Sequence, residues 1–185
     1  MLTKFYLCFL LNVMCVLSVH AEVLMSPQNF LGQSFEGEPE SKVLWLSKEL
    51  KAQISKDIDY QFHQLRVRYW GQDKRTAWIL EEVGKEQPIT MGFVVEEGKI
   101  IDFKVLVYRE SRGDEIKHEF YRKQFRQAKL REHRKGLRLS QDIDGITGAT
   151  LSVRASKKAA TLALFLHQQT PFSKHVETPQ TQKTQ

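Results

Sequence analysis

Cysteine is almost absent from this 185-residue chain: only Cys8 and Cys15 occur, both within the first 21 residues. From Glu22 onward there is no disulfide, no thiol nucleophile and no Cys-x-x-Cys-His run to attach a c-type haem. Any redox role in that part of the chain needs a cofactor held by other means. The histidines at 63, 118, 133, 167 and 175 show no metal-ligand spacing, and no His-Glu-x-x-His run occurs. A Gly-x-Ser-x-Gly nucleophile elbow is missing too. No internal repeat marks a solenoid. These absences leave neither a metal, a thiol nor a hydrolase constellation to build on.

Long hydrophobic runs are also scarce. The longest uncharged stretch, Phe5 to Ala21, falls short of the roughly 20 residues of a membrane span. It follows Lys4 and ends in Val19-His20-Ala21, the small-residue spacing of a signal-peptide cleavage site. Residues 1–21 are therefore read as a signal peptide directing export to the periplasm, with an uncleaved anchor facing the periplasm as the alternative. Removing Lys4 with that segment leaves 27 basic against 22 acidic residues, a net +5. Such a surplus suits an anionic partner; export argues against nucleic acid.

What is present patterns as one α+β domain. Residues 22–42, with Gly, Pro, Glu and Ser, read as a lead-in loop anchored by Phe30 and Phe35. From Ser47, a plausible N-cap, Leu46, Leu50, Ile54 and Ile58 recur four apart and predict a helix, so that 22–60 form a lead-in plus helix. QLRVRYW (64–70) alternates apolar and polar residues, and TAWILEEV (76–83) is a second strand. PITMGFVVEE (88–97) and KIIDFKVLVY (99–108) flank Gly98 as a hairpin, the latter placing Ile101, Phe103, Val105 and Val107 on one face. A polar loop (108–120) leads toward a helix near Glu119–Lys129. Residues 117–138 hold nine Lys/Arg against two acids: a solvated face, or a docking patch for an acidic redox partner. An alanine-rich amphipathic helix closes the domain at 61–169, and 170–185 read as a disordered tail. Together these predict an antiparallel sheet with helices packed against it. Trp45, Trp70 and Trp78 are read as core.

The closing helix is preceded by DIDGITGATLSVRA (142–155). A helix start presents N–H groups without intrahelical partners and the positive end of the dipole, and Gly148 and Ala149 let a bulky anion approach the backbone. On residues alone two readings stand: Thr147 or Thr150 merely caps the helix, or Thr150 is a hydroxyl on which a phosphate is carried.

This stretch resembles the flavinylation motif of the FMN-binding domain family, whose pattern is Asp-x-x-Ser/Thr-Gly-Ala-Thr followed by Ser/Thr. The matching positions are Asp144, Thr147, Gly148, Ala149, Thr150 and Ser152. The similarity extends over residues 76–167. EVGKEQPITMGFVVEEGKIIDFKVLVYRESRGDEI (82–116) looks like the family's central hairpin and following loop, and FRQAKLREHRKGL sits, loosely, where the family has a Gln-Phe-Gly-Lys-like segment. The resemblance implies FMN esterified to Thr150 by a flavin transferase that uses FAD and Mg²⁺, with Thr147 and Ser152 bonding the phosphate and Asp144 positioning the turn or marking it for the transferase. It implies that Glu110 contacts the flavin ring or ribityl chain; Arg112 and Asp114 read as surface polar residues of the same loop. The implied role is an electron carrier working with a membrane or periplasmic redox partner, without metal or nucleic acid. The alternatives are a non-covalent FMN- or ligand-binding sensory domain, and a basic polyanion-binding module.

Overall fold

The computed structural model describes residues 21–173; positions 1–20 of the segment read as a signal peptide, and positions 174–185 of the segment read as a tail, lie outside it. Its frame is a six-stranded sheet running across as Glu22–Val23, Lys99–Tyr108, Pro88–Glu96, Arg75–Val83, Arg66–Gln72 and Glu40–Trp45, every neighbouring pair antiparallel. In chain order the elements are β1 (Glu22–Val23), α1 (Pro27–Ser34), β2 (Glu40–Trp45), α2 (Lys48–Ile58), β3 (Arg66–Gln72), β4 (Arg75–Val83), β5 (Pro88–Glu96), β6 (Lys99–Tyr108), α3 (Glu119–Arg122), β7 (Leu130–His133), β8 (Gly136–Leu139) and α4 (Thr150–Gln168). This is the α+β arrangement expected from the pattern.

The strand and helix starts follow local chemistry. Ser47 Oγ accepts the Leu50 N–H at 3.2 Å, so the expected cap opens α2. Glu97 and Gly98, at φ 49° and 72°, form the two-residue turn between β5 and β6, a geometry suited to the right-handed twist of a hairpin. β6 does not keep one face throughout. Register shifts between Thr90 and Met91 and between Val94 and Val95 turn Ile101 and Val107 to the outer side, leaving Ile100, Phe103, Val105 and Tyr108 on the inner core. The expected strict alternation is therefore broken by bulges.

Two layers cover the sheet. On the inner face α4 packs Ala155, Ala159, Leu162, Ala163 and Leu166 against Trp78, Leu80, Met91 and Phe93. Each fully buried Leu or Phe contributes about 1.5–3 kcal/mol, far more than helix propensity does. On the outer face Phe30 and Phe35 join Ala77, Val94 and Leu106. Gly92 makes this approach possible: a Cβ there would lie 2.7 Å from the Phe30 ring.

Four further expectations change. The 22–42 lead-in holds a strand, a helix and another strand rather than a loop; Ser26 Oγ accepts the Asn29 N–H and Pro27 opens α1, a start signal that the polar composition obscured. The helix expected at Glu119–Lys129 shrinks to α3 and one 3₁₀ turn, and the basic run continues as the β7–β8 hairpin. Thr170, expected to head the tail, is buried, and Phe172 in the turn Pro171–Ser173 packs edge-on against Tyr69. Of the tryptophans Trp78 is core and Trp70 half-buried, while Trp45 is 65% exposed at the sheet edge with Arg66 over its ring.

Candidate functional site

The Asp-Gly-Ile-Thr-Gly-Ala-Thr stretch forms a turn that delivers the chain into α4. The Ala149 N–H donates to Ile146 O at 3.0 Å, with Gly148 at φ +85°, a conformation that disfavours side chains. Ala149, 2% exposed, anchors the turn in the core and is the N-cap of α4. It has no side chain able to cap, and neither Thr147 nor Thr150 substitutes. The first helical bond is Val153 N–H to Ala149 O at 2.9 Å, which leaves the N–H groups of Thr150, Leu151 and Ser152 without helical partners. The simple capping reading of these threonines does not hold. Thr150 is exposed at this uncapped, electropositive end.

Facing it is the loop after β6. A cavity of about 480 Å³ opens between the two, lined by Gly148 to Ser152 on one side and Lys85, Glu110, Ser111 and Arg112 on the other. That volume lies in the ordinary range of small-molecule sites. Gly113, at φ +83°, allows the contact: a Cβ there would meet Ser152 Oγ at 2.7 Å and Ala149 Cα at 3.3 Å. The loop is tied to the helix by Tyr108, whose Oη donates to Arg112 O at 2.6 Å and lies 3.1 Å from Ser152 Oγ. With the phenolic proton committed to the carbonyl, Ser152 is the donor in the second bond. Burial pushes the Tyr108 phenol upward, and the Ser152 hydrogen bond opposes that.

Glu110 has a structural task here. Its Oε1 accepts the backbone N–H groups of Lys85, Glu86 (2.7 Å) and Gln87 (2.9 Å), pinning the β4–β5 turn to the loop after β6. This clamp carries Lys85 to the cavity, a residue the sequence reading missed, since nothing local links positions 85 and 110. Asp144 and Thr147 do not line the cavity. Both are exposed, and the Asp144 N–H donates to Gln124 Oε1 at 2.8 Å. Gln141 Nε2 reaches Gln124 O and Arg126 O, so the two glutamines fasten the approach to the turn onto the basic segment.

Two cations, Lys85 and Arg112, line the cavity with the Glu110 carboxylate, and Lys85 is paired to Glu86 at 3.0 Å. An anion joined to Thr150 would meet free N–H donors and cations together. Among the described residues no group of three or more His, Cys, Asp or Glu is arranged to hold a metal ion. A larger cavity of about 620 Å³, bordered by Tyr60, Phe62, Arg66 and Trp70, contains none of the motif residues.

Residues 84–164 match the model of a family described as FMN-binding domain. That span runs from the β4–β5 turn into α4 and includes every residue lining the 480 Å³ cavity. No curated protein and no solved structure matches the chain.

Proposed function

The chain contains an FMN-binding domain at residues 84–164, and from that premise we propose that it carries FMN covalently, as a phosphoester on Thr150, and serves as an exported electron-transfer carrier. The observation that carries this reading is the exposed Thr150 hydroxyl at the first position of a 19-residue helix whose leading N–H groups no side chain caps. Thr150 contributes its hydroxyl alone. Loading by a flavin transferase from FAD, with Mg²⁺, forms the Oγ–phosphorus bond and releases AMP and the hydroxyl proton. The N–H groups of Thr150, Leu151 and Ser152 would hold the esterified phosphate, with Lys85 and Arg112 supplying positive charge. Ala149 and Ser152 keep the turn seated, and Glu110 holds the opposite wall. FMN supplies reversible electron uptake; the protein supplies tethering, orientation and electrostatics. A tether is useful outside the cytoplasm, where a dissociated cofactor is lost by dilution, and the uncharged stretch from Phe5 to Ala21 supports export.

Intact-mass measurement after co-expression with a flavin transferase tests the reading. Wild type gains one FMN less water, and Thr150→Ser keeps the adduct. Thr150→Ala loses it while retaining the wild-type circular dichroism and melting temperature. An adduct that persists in Thr150→Ala puts attachment elsewhere. A wild type that binds flavin but releases it on denaturation is a non-covalent FMN-binding domain.

A further inference from the structure

A second concave surface begins one helical turn beyond Thr150. Arg154 lies four residues along α4, about 6 Å further down the axis, and with Lys157 and Lys158 it forms one wall of a groove of about 410 Å³. The other wall is the β7–β8 hairpin, which presents Arg131 and Arg138. Within each wall the charges oppose folding. Arg131 and Arg138 are direct cross-strand partners, a like-charge pairing that destabilises a hairpin. Arg154 and Lys158 stand four apart on one helix face, which is unfavourable for the same reason. Acids satisfy only one of the five cations: Lys158 pairs with Glu82 at 2.9 Å and lies 3.7 Å from Asp59. Among the described residues Arg131, Arg138, Arg154 and Lys157 have no carboxylate partner. Two repulsive walls thus face each other across a groove that a set of carboxylates would neutralise.

We propose that this groove docks the acidic face of the protein that exchanges electrons with the flavin; the electron-exchange part rests on Thr150 carrying FMN. Charge complementarity selects the partner. Arg131, Arg138 and Arg154 are exposed, suited to steering and registering a protein surface rather than enclosing a small phosphate. Asp142, also on the groove, would repel a uniform polyanion but offers a contact to a cation within an otherwise acidic protein face. Arg154, one helical turn from Thr150 on α4, keeps the docked partner near the cofactor.

The test reverses charge on each wall separately, in Arg131→Glu/Arg138→Glu and in Arg154→Glu/Lys157→Glu, with Lys48→Glu/Arg68→Glu, two exposed positions outside the groove lining, as an equal-charge control. The probe is a fluorescein-labelled peptide of eight glutamates interrupted by one central lysine, read by anisotropy at low salt on protein without flavin. The expected result is binding weakened at least tenfold by either groove variant, little changed in the control, and falling with added salt. Equal loss in the control, or none in the groove variants, overturns the proposal. So does tighter, groove-dependent capture of single-stranded DNA or of phosphatidylglycerol vesicles, and so does micromolar competition by pyrophosphate. On flavin-loaded, chemically reduced protein, two ferricyanide ions take up the two electrons and the protons pass to solvent. The helix-wall variant should slow this at low salt about tenfold. Unchanged oxidation alongside lost peptide binding overturns the electron-partner assignment. Absence of an FMN adduct in wild type overturns the Thr150 reading and leaves the peptide result standing.

Discussion

A single carboxylate, Glu110, illustrates how residue-level chemistry shapes this site. Its Oε1 accepts three successive backbone N–H groups, so it works as a clamp on the β4–β5 turn. Glu110→Ala should therefore cost about 1–2 kcal/mol of stability and raise amide exchange at Lys85 to Gln87. The shape of the flavin absorption spectrum should be unaltered. A displaced absorption maximum in that variant would return Glu110 to the role of ring contact. Ser152 and Gly113 are coupled in the same way. The serine hydroxyl is spent on Tyr108, and the glycine leaves room for it, so the loop and the helix start are held as one unit.

At the scale of elements, two helices reach the sheet by different devices. α4 relies on alanines, which bring its backbone close to β4 and β5 and fix where its first turn ends up. α1 relies on one aromatic ring set over one glycine. Gly92→Val places a side chain where Phe30 sits, so the ring must move; overpacking of this kind costs about 1–3 kcal/mol. The expected outcome is a lowered melting temperature with exchange concentrated in Pro27–Ser34, and normal flavin loading, because the Thr150 cavity lies outside this outer core. Loss of loading in a folded Gly92→Val protein would mean that the two faces are coupled.

For the whole molecule, one buried histidine contributes to acid stability. His167 is 1% exposed; its Nδ1 lies 2.8 Å from Thr76 Oγ1, while Nε2 has no partner. Thr76 Oγ1 also accepts the Trp78 indole N–H at 2.8 Å, so its own proton is available to Nδ1 and the ring is held neutral. Burial lowers the pKa to about 4 from an ordinary 6.5. Below pH 6.5 the unfolded chain takes up a proton that the folded one refuses. Stability supplied by the neutral ring is thus complete above that pH and falls progressively toward pH 4, by a total on the order of 3 kcal/mol. Urea titrations from pH 7 to pH 4 should show this decline in wild type, and a shallower one in His167→Gln. Equal slopes would mean that carboxylates alone govern acid unfolding.

Sequence by itself determined the parts whose signals are local. The cap at Ser47, the turn at Glu97–Gly98, the β5–β6 hairpin and the glycine turn before an alanine-rich helix all depend on residues within a few positions of one another. The motif around Thr150 was legible for that reason, and so was the exclusion of thiol chemistry beyond Ala21. Tertiary structure decided what depends on distant partners. The bulges that turn Ile101 and Val107 outward are set by pairing with β5. The tie from Glu110 to Lys85, the bond from Ser152 to Tyr108 and the opposition of the β7–β8 hairpin to α4 join residues brought together only by the fold. Composition registers a basic run as a surplus of charge; only packing sets its two like-charged walls face to face, one turn from Thr150.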